Sequence, residues 1–137
     1  MALENEVYRL LKEFCQRFPA YSVKRKPKLQ GYSRFTWTPD FILEKDGRIV
    51  VIIEVKDVTS EKPTTLHTQM RLAFAELCDL HRRYSEAHTL VIVPDAILRR
   101  KQCEKYFDLF SSVGGAVLPA RYISDEDGLA LTLGENE

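Results

Sequence analysis

The chain has 137 residues, and its 20 Lys and Arg side chains balance its 20 Asp and Glu side chains, which gives a formal net charge of zero. The length predicts one domain over residues 1–137, in which residues 120–137 form an acidic C-terminal extension without Lys or Arg after Arg121. The neutral total argues against binding to polyanions through overall charge, and no apolar run approaches the roughly 20 residues that span a membrane.

The cysteines bear on the cellular compartment. Cys15, Cys78 and Cys103 are odd in number and far apart, without the paired spacings of a disulfide framework or a zinc site. The first residues also lack the apolar stretch of a secretory signal peptide. We therefore expect a cytoplasmic protein that does not associate with membranes.

Leu3–Phe18 has the pattern of an amphipathic helix, because its apolar residues recur at the 3.6-residue spacing of one helical face before Pro19 ends it. Glu4 lies at the edge of that face, whereas Glu6 points further toward solvent. An acid in a first turn often serves only to favour the helix dipole. Glu4 therefore has two interpretations, a helix-end acid or a residue of a functional site.

Basic and aromatic residues alternate after this helix, in a segment without acids between Ala20 and Pro39. Tyr21–Lys26 is weakly strand-like, and Pro27–Arg34 is a predicted loop. Such a mixture is typical of contact with phosphates and stacking on bases, so we expect DNA contact here. The alternative is a solvated loop whose aromatic rings belong to the core. The cations are Lys24, Arg25, Lys26, Lys28 and Arg34, and the aromatic residues are Tyr21, Tyr32, Phe35 and Trp37.

The next stretch predicts a β-hairpin. Phe41–Leu43 is a short apolar run after a proline, and Ile49–Val55 is a longer β-branched run. Asp46-Gly47 between them is the strongest short-range hairpin signal. Ile49–Val55 is apolar on both faces apart from Glu54, which indicates an interior strand.

Charged residues converge on this hairpin. Folding at the turn brings Asp40 close to the level of Ile53 and Glu54, a neighbourhood whose exact register depends on the loop type. Side-chain alternation puts Glu54 and Lys56 on one face. Unpaired charges beside a core cost several kcal/mol, and a divalent cation between Asp40 and Glu54 removes that cost. Lys56 then lies where it can orient a water or stabilise a phosphate. The simpler interpretation is a strand-capping Asp and a surface Glu–Lys pair.

The remaining elements follow in order. We predict a loop, a helix with Gln69 in its first turn, a buried strand, a third helix, a short strand and one further edge strand. Their ranges are Asp57–Thr65, Leu66–Tyr84, Thr89–Val93, Ala96–Phe110, Ala116–Leu118 and Leu129–Leu133. Glu135–Glu137 are expected to fray. The order predicts an α/β fold with a mixed central sheet and helices on both faces.

Pro39-Asp40, followed by Glu54-Val55-Lys56 on a predicted hairpin, resembles the motif of the PD-(D/E)XK nuclease superfamily, also called the restriction-endonuclease-like fold. That family's core is helix, three strands, helix and strand, which matches Leu3–Val93, about the first two-thirds of the chain. Arg34–Phe41 also resembles the entry to this motif in Tn7-type transposon end-cleaving subunits and in archaeal junction resolvases, so the subgroup stays open.

The resemblance implies a role for each matching residue. Asp40 and Glu54 correspond to metal ligands, with the Val55 carbonyl as a third oxygen donor, and Lys56 corresponds to the lysine near the attacking water. Glu4 fits the acid that many members carry on the first helix. Gln69 loosely resembles the glutamine of RecB-type members. The implied catalytic set is Glu4, Asp40, Glu54, Lys56 and Gln69, and the implied cofactor is Mg²⁺, with Mn²⁺ as substitute.

The resemblance implies a metal-dependent DNA endonuclease that acts in recombination, transposition, repair or restriction. A homodimer is expected because cutting two strands needs two sites, and a partner protein is expected to supply specificity because nothing resembles a recognition module. The neutral charge leaves an alternative, a non-catalytic DNA-binding or assembly module that depends on a partner. RNA or a small nucleotide as substrate also stays open.

Overall fold

The computed structural model of the chain describes residues 2–58 and 63–135. The α-helices are α1 (Ala2–Arg17), α2 (Pro63–Arg83), α3 (Asp95–Leu98) and α4 (Glu104–Ser111). The strands are β1 (Tyr21–Arg25), β2 (Leu29–Gln30), β3 (Thr36–Trp37), β4 (Phe41–Lys45), β5 (Arg48–Val55), β6 (His88–Ile92) and β7 (Gly115–Leu118). Short 3₁₀ turns occupy Lys101–Cys103 and Ala120–Ile123, and Glu126–Ala130 is a further helical segment with a kink at Gly128.

The central sheet has five strands in the order β1-β4-β5-β6-β7. Strand β4 is antiparallel to β1 and β5, whereas β5, β6 and β7 are parallel. The predicted mixed α/β sheet is therefore confirmed, and β5 is the interior strand that its β-branched sequence predicts. Strands β2 and β3 form a separate two-stranded hairpin between β1 and β4.

The β4–β5 hairpin closes at Asp46 and Gly47, whose positive φ angles of 53° and 79° match a two-residue type I′ turn. Because Phe41 pairs with Ile53, the residue before β4 comes to the level of the residue after Ile53. The predicted neighbourhood of Asp40 and Glu54 is thereby confirmed. A register shift between Leu43 and Glu44 lies closer to the turn and does not disturb this end.

The sheet separates two hydrophobic cores, because side chains alternate along each strand. Ile53 and Val55 of β5 pack with α1 and the C-terminal segment, whereas Ile52 packs with α2, α3 and α4. Burying apolar area on both faces contributes about 25 cal/mol per Å², which makes these two layers the main source of stability. The site described below lies at one end of the sheet, between α1 and α2.

Four predicted elements are wrong in position or type. The predicted loop Pro27–Arg34 contains the short strand β2, because Leu29 and Gln30 pair with Trp37 and Thr36. The helix α2 begins at Pro63 rather than Leu66, since proline is accepted in a first turn, and Gln69 therefore lies in its second turn. The predicted helix Ala96–Phe110 is interrupted at Arg100, whose ψ of 135° is extended. The predicted edge strand Leu129–Leu133 is helical. Residues 59–62 of the predicted loop lie outside the described residues.

The acidic C-terminal segment packs against the first helix. Ile123 and Leu129 are buried in the α1 core, and Glu135 accepts hydrogen bonds from Tyr21 Oη at 2.7 Å and Lys45 Nζ at 3.1 Å. Glu135 is thus held rather than frayed, while residues 136 and 137 lie outside the described part. Within residues 2–58 and 63–135, no helix is both long enough and apolar enough to cross a bilayer.

Candidate active site

Strands β1, β4 and β5 have neighbouring ends at one end of the sheet, and a cleft opens there between α1 and α2. The chain leaves β1 at Lys26, enters β4 at Asp40 and leaves β5 at Lys56, because β4 is antiparallel to both neighbours. The cleft has a volume of about 410 Å³. It is lined by Glu4, Lys26, Asp40, Glu54, Val55, Lys56, Asp57, Val58, Thr65 and Gln69.

All the residues predicted to be catalytic line this one cleft, although they come from separate elements between Glu4 and Gln69. Val55, the predicted carbonyl donor, lines it as well. Their roles stay predictions, but their placement together is a finding. The helical faces of α1 and α2 and the turn of the β4–β5 hairpin are local features, and together they bring these side chains to one cleft.

Asp40 is buried and anchored at the first position before β4. Its Oδ2 atom accepts a hydrogen bond from the Val55 backbone N–H at 2.7 Å, and its Oδ1 atom contacts the Lys26 ammonium group. The Asp40 carbonyl also accepts a bond from the Lys26 N–H at 2.9 Å. Asp40 therefore joins the ends of β1, β4 and β5, which fixes its carboxylate in the cleft.

Glu54 is buried on the central strand at the level of Asp40. Among the described residues, none forms an ion pair with Glu54. A buried carboxylate without a cationic partner is costly, and two of them side by side repel each other. This end of the sheet therefore has the electrostatic character of a cation site.

The donor set fits a hard divalent ion. Mg²⁺ binds through one or two carboxylates and keeps several waters, so Asp40, Glu54 and the Val55 carbonyl are sufficient ligands. In residues 2–58 and 63–135, no group of three or more His, Cys, Asp and Glu side chains is arranged to hold a metal, so backbone oxygen and water would complete the coordination of an ion here. The Lys26 ammonium contacts Asp40, so one of these two carboxylates already has a cation from the chain beside it.

Lys56 extends from the end of β5 into the cleft and is half-buried. Its backbone N–H donates to the Ile92 carbonyl at 2.9 Å, which holds this residue in line with the parallel strands. Burial lowers the pKa of Lys56, the Asp40 carboxylate partly opposes this shift, and the Lys26 ammonium adds to it. A lysine in such a setting loses its proton more readily than a solvated one.

Glu4 reaches the cleft from the first turn of α1, whereas Glu6 is exposed and does not line it. Glu4 Oε1 accepts a hydrogen bond from Lys26 Nζ at 2.8 Å, and Glu4 Oε2 lies 3.6 Å from an Arg25 guanidinium nitrogen. This geometry distinguishes the two acids, in agreement with the helical-face prediction. Gln69 lines the cleft opposite, from the second turn of α2.

The predicted DNA-contacting cations divide into two groups. Lys24 pairs with Glu44 at 2.6 Å, Arg25 lies 4.4 Å over the Tyr8 ring, and Lys26 points into the cleft. Lys28 and Arg34 are exposed and form no ion pair with any described residue. Two of the five cations are therefore exposed without an ion pair among the described residues, and Lys26 lies among the carboxylates.

Glu76 is a buried acid that the sequence patterns did not identify. It is buried on α2, two turns after Gln69 on the same flank, and its Oε2 atom has no hydrogen-bond partner among the described residues. Burial, together with the nearby Asp40 carboxylate, raises the pKa of Glu76 to about 7, and Lys26 partly opposes this shift. The seven-residue spacing from Gln69 is the signal that would have found it.

Comparison with known proteins adds information on the fold. No protein-family model and no curated protein matches the chain. The crystal structure of a protein of unknown function, AF1548, is similar, with a TM-score of 0.55 and 16% sequence identity. The similarity covers 97% of this chain and 65% of that one, so this chain spans less than two thirds of the other's length. At this identity the likeness concerns the fold, and the mixed α/β arrangement recurs in a solved protein.

Proposed function

We propose that the chain is a metal-dependent DNA endonuclease that hydrolyses phosphodiester bonds with Mg²⁺, or Mn²⁺ in its place. One observation carries the proposal: Asp40 and Glu54 are buried side by side at the ends of neighbouring strands, and both line an open cleft with Lys56. Burying two carboxylates together weakens the fold unless a cation joins them. Such an arrangement is typical of sites that chemistry, rather than stability, requires.

The residues of the cleft have different roles in this proposal: holding the ion, orienting the water and stabilising charge on the phosphate. Asp40, Glu54 and the Val55 carbonyl would hold the ion, and the Val55 N–H fixes the Asp40 carboxylate. When bound, such an ion would supply Lewis-acid polarisation of a phosphate and a lower pKa for a water. Lys56 orients the attacking water and stabilises charge on the phosphate, and its lowered pKa suits proton transfer. Gln69 and Glu4 position that water from the two flanking helices.

DNA as the substrate is supported by exposed cations in the segment that leads into the cleft. Lys28 and Arg34 precede Asp40 in this segment, and exposed cations of this kind suit contact with phosphates. The formal net charge of zero limits binding by overall attraction. We therefore also propose a homodimer, or a partner protein that supplies specificity, in recombination, transposition, repair or restriction.

A cleavage assay tests the proposal. Supercoiled plasmid, single-stranded, forked and four-way-junction DNA are incubated with Mg²⁺, Mn²⁺ or EDTA, with RNA as a further arm. We expect metal-dependent cleavage that Asp40→Asn, Glu54→Gln and Lys56→Ala each reduce by at least about 100-fold. Asp46→Asn, at the opposite end of the hairpin, is the matched control and should cleave normally, because asparagine tolerates its φ of 53°.

A second candidate function is a non-catalytic DNA-binding or assembly module. It is favoured by the Lys26 ammonium, which contacts both Asp40 and Glu4 and so neutralises part of the cleft from within the chain. The same assay separates the two. Absence of cleavage on every DNA with either metal, while binding persists, would establish the module and reject the enzyme.

A further inference from the structure

Two exposed aromatic side chains stand close together on the β2–β3 hairpin. Tyr32 is 61% exposed and Phe35 is 60% exposed, and both lie in the loop that joins Leu29–Gln30 to Thr36–Trp37. We call Leu29–Trp37 the aromatic hairpin. Rings that stay in water contribute no burial to folding, and two of them in one short loop form an exposed apolar patch of the kind that marks a binding surface.

The aromatic hairpin is fixed to α2 through one carboxylate. Asp79 accepts hydrogen bonds from the Ser33 N–H at 2.9 Å, the Ser33 hydroxyl at 2.7 Å and the Trp37 indole N–H at 2.8 Å. Its carbonyl accepts a fourth bond from the Tyr32 N–H at 3.1 Å. Gly31 packs so closely that a Cβ atom there would overlap the Asp79 carboxylate. The loop is therefore held in one shape.

Each exposed ring is also supported from behind. The Arg82 guanidinium lies 4.4 Å from the centre of the Tyr32 ring, and the Trp37 ring centre lies 4.6 Å from that of Phe35. These contacts restrain both rings, yet well over half of each side chain stays accessible. A rigid, supported aromatic ring loses little conformational entropy when a flat ligand stacks on it.

Several cations lie on or next to the aromatic hairpin. Arg34 is within it, Lys28 directly precedes it, and Arg82 and Arg83 lie on the last turn of α2, with Arg82 against the Tyr32 ring. The one acid that contacts the hairpin, among the described residues, is Asp79, whose oxygens are occupied by hairpin donors. Aromatic rings for bases, combined with guanidinium and ammonium groups for phosphates, match a single strand of nucleic acid.

The hairpin leads from α2 into the cleft. Its base is near the site, because Trp37 precedes Asp40 by three residues and the two Cα atoms are at most about 11 Å apart. Its tip lies further away, because the Asp79 that holds it is ten residues after Gln69, or about 15 Å along α2. We propose that the aromatic hairpin stacks unpaired bases, so that the chain binds single-stranded DNA, or DNA whose unpaired nucleotides run along α2 toward the cleft. If the proposed function holds, on which the role in cleavage rests, the substrate is a fork, a flap or a junction rather than uninterrupted duplex.

Binding in EDTA tests the inference without any cleavage. Fluorescence anisotropy compares labelled oligo(dT) with a blunt duplex of the same length, for the full chain and for the double variant Tyr32→Ala/Phe35→Ala. We expect the double variant to lose roughly 30-fold in affinity for oligo(dT) and less than about twofold for duplex, since stacking contributes little on paired bases. Leu72→Ala, which removes a 55% exposed side chain elsewhere on α2, is the matched control and should bind normally.

A second pair of variants separates the shape of the hairpin from its rings. Gly31→Ala and Asp79→Ala keep Tyr32 and Phe35 but release the loop from α2, and both should weaken oligo(dT) binding. Trp37 is the sole tryptophan, so quenching of its emission by unlabelled oligo(dT) reports contact at the hairpin directly.

The outcomes are distinct. Equal loss on single strand and duplex, or no loss on either, overturns the stacking proposal. Loss of self-association in light scattering, with DNA affinity unchanged, assigns the surface to a second copy of the chain instead and also overturns it. Selective oligo(dT) binding without metal-dependent cleavage rejects the proposed nuclease alone, and cleavage that persists with unchanged affinity in the ring variant rejects the hairpin's role alone.

Discussion

The ammonium group of Lys26 contacts the carboxylate of Asp40, so a cation from the chain itself lies among the predicted metal ligands. Lys26 also donates to Glu4 at 2.8 Å, and its φ of 48° turns the chain inward after β1. Burial disfavours the charged amine, but hydrogen bonds to Asp40 and Glu4 outweigh this effect and raise the pKa of Lys26. The side chain therefore stays charged at neutral pH and competes with any bound cation.

Removing the Lys26 charge should strengthen metal binding. In Lys26→Met the hydrocarbon stem is retained, while Asp40 loses its internal partner. A half-exposed ion pair contributes about 1 kcal/mol, so we expect Mn²⁺ to bind roughly fivefold more tightly. Electron paramagnetic resonance of free Mn²⁺ measures this affinity without DNA.

Two variants control the metal experiment. Lys24→Met removes a nearby cation that pairs with Glu44 outside the cleft, and it should leave Mn²⁺ affinity unchanged. Asp40→Asn should abolish binding. Weaker Mn²⁺ binding by Lys26→Met would contradict a competition between the Lys26 ammonium and the metal ion. It would mean that Lys26 holds the carboxylates in the position that binds the ion.

Glu76 predicts a dependence of stability on pH. Its carboxyl pKa is about 7 in the folded chain because of burial and the Asp40 charge, against an ordinary value of 4.5. Since the folded state holds this proton more tightly than the unfolded state, the free energy of unfolding falls as pH rises from about 4.5 through 7. The neighbouring Lys26 ammonium moderates this loss but does not reverse it.

Glu76→Gln removes the titration and keeps the volume. We expect the variant to be about 2 kcal/mol more stable than the parent at pH 8, and the difference to shrink below pH 5. This free energy is smaller than the pKa difference alone would give, because solvent screens part of the interaction. Urea denaturation at several pH values in EDTA measures it. A Glu76→Gln curve parallel to the parent's would show that Glu76 ionises normally.

Glu86→Gln is the control for this pH series, because it makes the same chemical change three residues after α2 ends. The Glu86 side chain is 86% exposed, and it pairs at 3.8 Å with the exposed Arg48. Exposed pairs of this kind contribute little to stability. The Glu86→Gln curve should therefore follow the parent at every pH, and a matching rise in stability at pH 8 would trace the effect to overall charge instead of to burial.

The parts of the site predicted from sequence depend on local signals. The Asp46-Gly47 turn determines the hairpin, and the pairing of Phe41 with Ile53 then brings Asp40 to Glu54. The fold class follows from the order of elements, which periodicity reveals. Side-chain pairing across strands depends on register that short sequence patterns do not contain. The sequence therefore predicts DNA contact for Lys26, whereas the β1–β4 register turns it toward Asp40.

The C-terminal segment illustrates a second limit. Leu129, Leu131 and Leu133 alternate with smaller residues, which predicts a strand, but the same residues also fit a helix that buries Leu129 and Ala130. A short apolar run is ambiguous between these two forms. Packing on α1 favours the helix. Strand β7 is the last strand in the sheet order, and Leu129 and Ala130 are buried in the hydrophobic core that contains α1.

This packing predicts a difference between two neighbouring leucines. Leu129 is fully buried, so Leu129→Ala should lower the free energy of unfolding by about 3 kcal/mol through lost burial and a cavity. Leu131 is 57% exposed, and Leu131→Ala should change it by less than about 0.5 kcal/mol. Chemical denaturation followed by circular dichroism compares them. Equal losses of stability in the two variants, or a larger loss in Leu131→Ala, would instead support the strand predicted over Leu129–Leu133.

The cations near the cleft should differ in their effect on DNA affinity. Lys28 and Arg34 are exposed and without ion pairs among the described residues, whereas Lys24 is engaged by Glu44. Each phosphate contact adds about 0.9 to the slope of log affinity against log salt. Lys28→Ala/Arg34→Ala should therefore reduce that slope by about 2.

Lys24→Ala is the control for this salt series, and its slope should stay near the parent value because its charge is already balanced. Anisotropy titrations of a duplex oligonucleotide at about 50–200 mM salt give the slopes, and they are run without divalent metal so that no metal binds in the cleft. Parallel lines for the double variant and the parent would mean that DNA approaches from another face. A larger effect from Lys24 would mean that its pair with Glu44 opens on binding.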